Sequence, residues 1–242
     1  THCISSAASD VYKRQAYYGA SIMPGPVLAK LRQRLPKLGF YNCFGQSEMG
    51  PLCTVLRPEE HDDHASSAGR SVFFVETRVV DGEGNDVGVG EQGEILYRSP
   101  QLCQGYWNKP EATAEAFDNG WFHSGDLVTV DESGFIEVID RVKDVINTGG
   151  VLVASRQVED AIFELPQVAE VAVVGVADEK WIEAVTAFVV TKPEQPEITE
   201  ADVLAHVKDR LAGFKVPKRV DFVTELPKNS AGKILKRQLR EA

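Results

Sequence analysis

Long apolar runs are missing from this chain of 242 residues. The longest, VAEVAVVGVA at 168–177, falls well short of the ~18 residues a membrane span requires. The first fifteen residues, THCISSAASDVYKRQ, have no apolar core of a secretory signal, so a cytoplasmic location is the expectation. Cysteine is sparse: Cys3, Cys43, Cys53 and Cys103 stand apart without Cys-x-x-Cys spacing, which suggests neither a zinc site nor a disulfide framework. Basic residues are the minority, 26 Lys and Arg against 36 Asp and Glu. With no long like-charge block and no interleaving of basic and aromatic residues, nucleic acid is not an expected partner. Internal repeats and low-complexity tracts are absent from the sequence as well.

What is present is an ordinary globular composition, 43% hydrophobic and 26% charged, enough to fill one large domain or two smaller ones. The charge is unevenly spread. From Lys208 to Ala242 ten Lys and Arg face four Asp and Glu, although the whole chain carries −10. A basic face for an anionic ligand and a solvated basic tail both account for that asymmetry.

Residue patterns divide the chain. Pro24 and Pro26, with Val27, Leu28, Leu31 and Leu35 on one face and Pro36 as a stop, predict a helix. SVFFVETRVV (71–80), GEILYR (93–98), LVTV (127–130) and FIEVI (135–139) have strand composition, and DGEGND and DESG between them are turn chemistry. An antiparallel sheet or small barrel over about 70–140 follows. Beyond residue 141 the pattern alternates. A helix from Ser155, as its cap, to Leu165 is followed by strands at 170–176 and 184–191. A capping box at Thr199–Asp202 opens a second helix with Leu204, Val207 and Leu211 inward, and RVDFV is a last strand. This is a compact α+β unit of about 100 residues.

Taken singly, the polar motifs are weak. Gly232-Lys233 is not a Walker loop, because GxxxxGK[ST] needs glycine where Pro227 stands, and Ile234 follows the lysine. DGEGNDVGVG misses GxGxxG spacing, and HDDH (61–64) reads as a solvated polar loop rather than a metal site. A lone Ser47-Glu48 is also a surface turn, and a lone Asp126 also an aspartate in a glycine turn.

Taken in order, five stretches are more specific: FYNCFGQSEMG (40–50), GEILYRSPQLCQGYW (93–107), GWFHSGDL (120–127), DRVKDVINTGG (140–150) and LPKNSAGKILKR (226–237). The series resembles the C-terminal half of the acyl-adenylate-forming (AMP-binding) superfamily, which includes acyl-CoA synthetases, luciferases and peptide-synthetase adenylation domains. The resemblance runs from about Tyr17 to the end. It implies an α/β and α+β fold: the C-terminal part of a large N-domain with a small β-barrel-like subdomain (16–141, after a leader at 1–15), then a small mobile α+β C-terminal domain (142–242).

The resemblance also implies roles. Ser47 would hydrogen-bond the α-phosphate of ATP and Glu48 would hold Mg²⁺, a hydroxyl donor and a carboxylate suited to a metal-bridged triphosphate. Phe44 matches the aromatic that stacks on adenine, and Gly19 and Ala20 the small segment beside adenine and the acyl group. Asp126 would accept both ribose hydroxyls, since its two oxygens can take two donors, and Arg141 would make a second ribose contact. Lys143 falls at the hinge, and Gly149-Gly150 would leave room for the pantetheine arm of CoA. Lys233, presented by Gly232, matches the adenylation lysine, whose ammonium stabilises charge developing near the α-phosphate. Lys228, Lys236 and Arg237 are expected to be general surface charge.

Ser47 stands for the family's more usual Thr, Phe44 for Tyr, and VLVASRQVED departs from the commoner Glu-Asn after the glycines. SPQLCQGYWNKPEATAEAF and the segment 154–190 resemble the bacterial fatty-acyl ligase branch. The implied chemistry is activation of a small-molecule carboxylic acid with ATP to acyl-AMP, then transfer to CoA. Loading of a carrier protein shares every motif, and a non-catalytic nucleotide-binding piece is a third reading. The family's Ser/Thr/Gly-rich phosphate loop, expected ahead of residue 16, is not among these residues, so the chain alone is expected not to adenylate.

Overall fold

A computed structural model describes residues 14–19, 23, 25–230 and 232–240. Ala20, Pro24 and most of the expected leader lie outside them. The chain divides into two compact units, Thr1–Val138 and Ile139–Ala242, where the sequence places its boundary at 141/142.

In the first unit β1 (Gln15–Gly19) runs parallel to β2 (Gly39–Gly45), and β3 (Leu52–Leu56) and β4 (Arg70–Ser71) add on antiparallel. Helix α1 (Gly25–Arg34) connects β1 to β2, but Leu28 is buried while Val27 and Leu35 are exposed, so the expected apolar face is only partly used. A second sheet holds β5 (Glu76–Val80), β6 (Gly93–Arg98), β8 (Trp121–Val130) and β7 (Phe117–Asp118), with β9 (Ile136–Arg141) also paired to β8. Helix α2 (Pro110–Ala116) leads into β7. Met49, Cys53, Val75, Ile95, Tyr97, Phe122, Val128 and Ile136 form this unit's core.

Strand β8 alternates: Phe122, Ser124, Asp126 and Val128 are buried and the residues between them are not. Two polar residues therefore share the buried face with two apolar ones, as period-two geometry dictates.

One expectation fails here and another holds only in part. The run 71–80 is not one strand, because residues 72–75 turn between β4 and β5. Phe74 has φ 64 and sends its ring into solvent beside Phe73, 78% and 89% exposed; strand composition cannot override a left-handed residue. HDDH is a solvated loop only in part: Asp62 and Asp63 are exposed, whereas the two histidines are not. His61 is buried, its Nε2 hydrogen-bonded with the Tyr18 hydroxyl and its Nδ1 with the Arg57 carbonyl. His64 stacks on Phe135, and Asp62 pairs with Arg32.

In the second unit the hairpin β10 (Ile146–Thr148) and β11 (Val151–Val153) precedes α3 (Ser155–Phe163). Long antiparallel strands β12 (Val168–Asp178) and β13 (Ile182–Thr191) form the centre, and β14 (Arg219–Phe222) lies parallel to β13. Helix α4 (Glu200–Lys208) opens on the expected capping box, with the Asp202 amide donating to Thr199 Oγ1 and the Thr199 amide to Asp202 Oδ2. Val171 and Val173 of β12 pack with Val158, Ile162, Val203 and Val207 on one face. Ala172 and Val174 pack on the other with Phe188, Leu226 and Leu239, the last from α5 (Lys236–Arg240). Burial on both faces is why the sequence there reads as a continuous apolar run.

Ser155 is not a cap: Ala154 holds that position without a side-chain bond. Ser155 Oγ instead donates to Asp140 Oδ2 at 2.8 Å and accepts from Lys236 Nζ at 2.7 Å. Lys236 also pairs with Glu159 at 2.7 Å, and Lys228 with Glu170 at 2.7 Å, so neither is idle surface charge.

Candidate functional site

The turn after β2 is the first element of the site. Met49, fully buried, pins the short 3₁₀ turn Ser47–Met49; Ser47 is left exposed and Glu48 half-buried. The Cys103 amide donates to the Glu48 carbonyl at 2.8 Å, and the Tyr106 hydroxyl to Glu48 Oε1 at 2.9 Å. Gln46 reaches the other way. Its Nε2 donates to Asp126 Oδ2 at 2.6 Å and to the Ser124 carbonyl at 3.0 Å. Ser124 Oγ in turn donates to the Ile95 carbonyl and accepts the Asp126 amide at 3.0 Å.

Asp126, 3% exposed, is thus tied through one glutamine to the turn that carries Ser47 and Glu48. An aspartate carboxylate has about four lone-pair sites and can accept more than one donor at once. Phe44 is half-buried and packs on the same core. Gly19 ends β1 opposite Cys43, next to Phe44; a Cβ there would come within 2.0 Å of the Cys43 carbonyl oxygen, so the strand pairing itself demands glycine. Burial pushes the Cys53 thiol up to about 12, which leaves it protonated and inert.

Phe44, Ser47, Glu48 and Asp126 are therefore brought together in the first unit, while Ala20 lies outside the described residues. Gln46, Ser124 and Tyr106 were given no role by the sequence. All lie inside or beside the quoted motifs, and their amide and hydroxyl groups were the available signal.

The remaining expected residues lie in the second unit. Arg141 is half-buried at the end of β9, its amide donating to Asp140 Oδ1 at 2.8 Å. Lys143 is exposed in the 3₁₀ turn Val142–Asp144, and its carbonyl accepts from Arg240. Gly149 and Gly150 form the β10–β11 turn at φ 63 and 88, a region that suits glycine. Lys233 is exposed on a tight turn: its amide donates to Asn229 Oδ1 and its carbonyl accepts the Asn229 amide, both at 2.9 Å.

The model of the AMP-binding enzyme family matches residues 6–107, ahead of the expected start, and that of the AMP-binding enzyme C-terminal domain matches 157–233. The chain belongs to the AMP-binding enzyme family. Within this family it is 43% identical over 198 residues to a long-chain-fatty-acid–CoA ligase of Escherichia coli O157:H7, covering 82% of this chain and 35% of that protein. A medium/long-chain-fatty-acid–CoA ligase of Mycobacterium tuberculosis is 42% identical, covering 93% and 40%. A feruloyl-CoA synthase of Amycolatopsis is 41% identical, covering 89% and 44%. The chain thus spans between about a third and just under half the length of these AMP-binding relatives. Among solved structures, the o-succinylbenzoate CoA synthetase of Bacillus subtilis with its acyl-adenylate intermediate superposes with TM-score 0.87 at 30% identity, covering 95% of this chain and 46% of that one. An amide bond synthetase of Marinactinospora thermotolerans gives 0.84 at 34% identity, covering 94% and 47%. No helix among the described residues is long and apolar enough to cross a membrane.

Proposed function

We propose that this chain serves an ATP-dependent acyl-CoA synthetase of the fatty-acyl type. The observation that carries the reading is the buried Asp126 carboxylate bonded by Gln46 to the Ser47–Glu48 turn. A buried carboxylate held beside a hydroxyl and a second carboxylate suits a ribose on one side and a phosphate chain on the other.

In the first half-reaction a carboxylate oxygen of the acid attacks the α-phosphorus of ATP. A new O–P bond forms, the bond to the bridging oxygen breaks, and pyrophosphate leaves. Asp126 fixes the ribose, Arg141 adds a second contact, and Phe44 stacks on the base. Ser47 donates to the α-phosphate, and the Lys233 ammonium offsets the charge that builds there. No trio of His, Cys, Asp or Glu among the described residues could hold a metal by itself. The single Glu48 carboxylate fits Mg²⁺, an ion commonly held by one or two carboxylates together with substrate phosphates and water. When bound, that ion neutralises phosphate charge. In the second half-reaction the CoA thiolate attacks the acyl carbon, a C–S bond forms and AMP leaves. Gly149 and Gly150 leave the pantetheine arm its room, and Lys143 is the hinge between the two poses. The resembled branch and the named relatives favour a fatty acid as substrate. The 242 residues alone, without the phosphate loop, are proposed to be inactive.

The test is pyrophosphate exchange with the full-length protein over a panel of carboxylic acids, then transfer to CoA or to a phosphopantetheinyl carrier protein. Exchange with medium or long fatty acids and transfer to CoA is the expected result. Transfer to the carrier alone, or no exchange with any acid, overturns it. Asp126→Ala should raise the KM for ATP at least tenfold, since hydrogen bonds to a charged acceptor are worth about 1.5–3 kcal/mol each.

A further inference from the structure

Gly175 is buried in β12, and a methyl group there would meet the Glu183 carboxylate at 2.8–3.0 Å. Glu183 fills that space from β13, across the diagonal of the antiparallel pair in which Gly175 faces Val185 and Ala177 faces Glu183. From this seat Glu183 Oε2 accepts the Asn147 amide at 2.6 Å. Asn147 Oδ1 accepts the Gly150 amide at 2.9 Å, and the Trp181 carbonyl accepts the Gly149 amide at 2.6 Å. Both N–H groups of the glycine pair are thereby fixed, one through Trp181 directly and one through Asn147 from Glu183.

Ile146 and Val153 anchor the base of the hairpin in the core, but its glycine-bearing tip has few other ties. Its strands are three residues each, Val151 and Leu152 are exposed, and its ladder pairing to β13 is the single pair Thr148–Ile182. A short two-stranded hairpin is marginal by itself. The β13 end of that single pair is strained, with β-branched Ile182 at φ 68.

We propose that Glu183 is the positioning residue for the Gly149–Gly150 turn, held in place by the absence of a side chain at Gly175, and that it sets how the thiol co-substrate is admitted. The proposal rests on the assignment of that turn to the pantetheine arm of CoA. Glu183 itself contacts no substrate; it acts through Asn147 and the backbone of the turn.

Three variants of the full-length ligase test it: Gly175→Ala, Glu183→Ala and Glu183→Gln. The methyl group of Gly175→Ala displaces the far end of a flexible side chain and no backbone, and Gly175 is not left-handed, so the fold is preserved. Gly175→Ala and Glu183→Ala should raise the KM for CoA about tenfold or more, the scale on which small misplacements act. Acyl-AMP formation, read as pyrophosphate release without CoA, should stay unchanged. Glu183→Gln keeps an oxygen for the Asn147 amide and should restore most of the CoA affinity. Amide hydrogen exchange at Gly150 should quicken in the two disruptive variants and not in Glu183→Gln.

Unchanged KM for CoA in both Gly175→Ala and Glu183→Ala, or equal loss of both half-reactions, overturns the role of Glu183. Wild-type enzyme that forms acyl-AMP but passes it to no thiol overturns the assignment of the turn to CoA. In that event exchange at Gly150 still reports whether Glu183 holds the turn.

Discussion

Phe74 shows what a single left-handed residue costs. A non-glycine side chain at φ 64 carries about 1–2 kcal/mol of steric penalty, and the Phe74 ring, 78% exposed, recovers little of it by packing. Glycine would relieve the penalty but gain chain entropy in the unfolded state. Phe74→Gly should therefore raise unfolding free energy by about 1 kcal/mol, read from the urea midpoint at unchanged slope. A lowered midpoint would mean that the ring supports the fold. Gln46 teaches the complementary lesson about the site. Ser47 and Glu48 stand out in the sequence because hydroxyl and carboxylate have obvious chemistry. The amide between them and Asp126 does not, since glutamine side chains are mostly solvated and only tertiary structure shows this one joining the turn to β8.

Elements were legible where one physical signal dominated. GEILYR is a strand over the same residues that composition marks, and the Thr199 capping box opens its helix as spaced. Ser155 departs from the expected cap because capping chemistry and buried-network chemistry use the same hydroxyl, and only the positions of Asp140 and Lys236 decide between them. The helix that Ser155 begins also holds Glu159, which accepts the Val173 amide and pairs with Lys236. Burial pushes the Glu159 carboxyl above its ordinary 4.5, with Lys236 and the Val173 amide pulling it back. The folded state thus binds this proton more tightly than the unfolded chain. The contribution of Glu159 is full below 4.5 and is lost as pH rises through the raised value. Glu159→Gln should flatten the fall in stability over that window. Parallel curves for wild type and variant, by urea unfolding at successive pH values, would contradict the assignment.

For the whole molecule, the division at Val138 and Ile139 gives each unit its own buried cluster. Each should unfold as a unit, so calorimetry should resolve two transitions. Phe74→Gly should move one of them, and Glu159→Gln the other. A single transition that both variants shift would show one cooperative body. The change in sequence pattern after residue 141 reflects a change of physics, from closely spaced antiparallel strands to a sheet covered on both faces.

The excess of basic residues near the C-terminus has a consequence for ionic strength. Lys228, Lys236 and Arg240 are each matched by a carboxylate of their own unit, Glu170, Glu159 and Asp144. Their fields are largely cancelled within a few ångströms. A polyanion approaching from beyond a Debye length, about 8 Å at physiological salt, therefore meets far less positive charge than the residue count implies. Long-range steering by this segment is weak, and any hold that Lys233 has on a phosphate is exerted at contact.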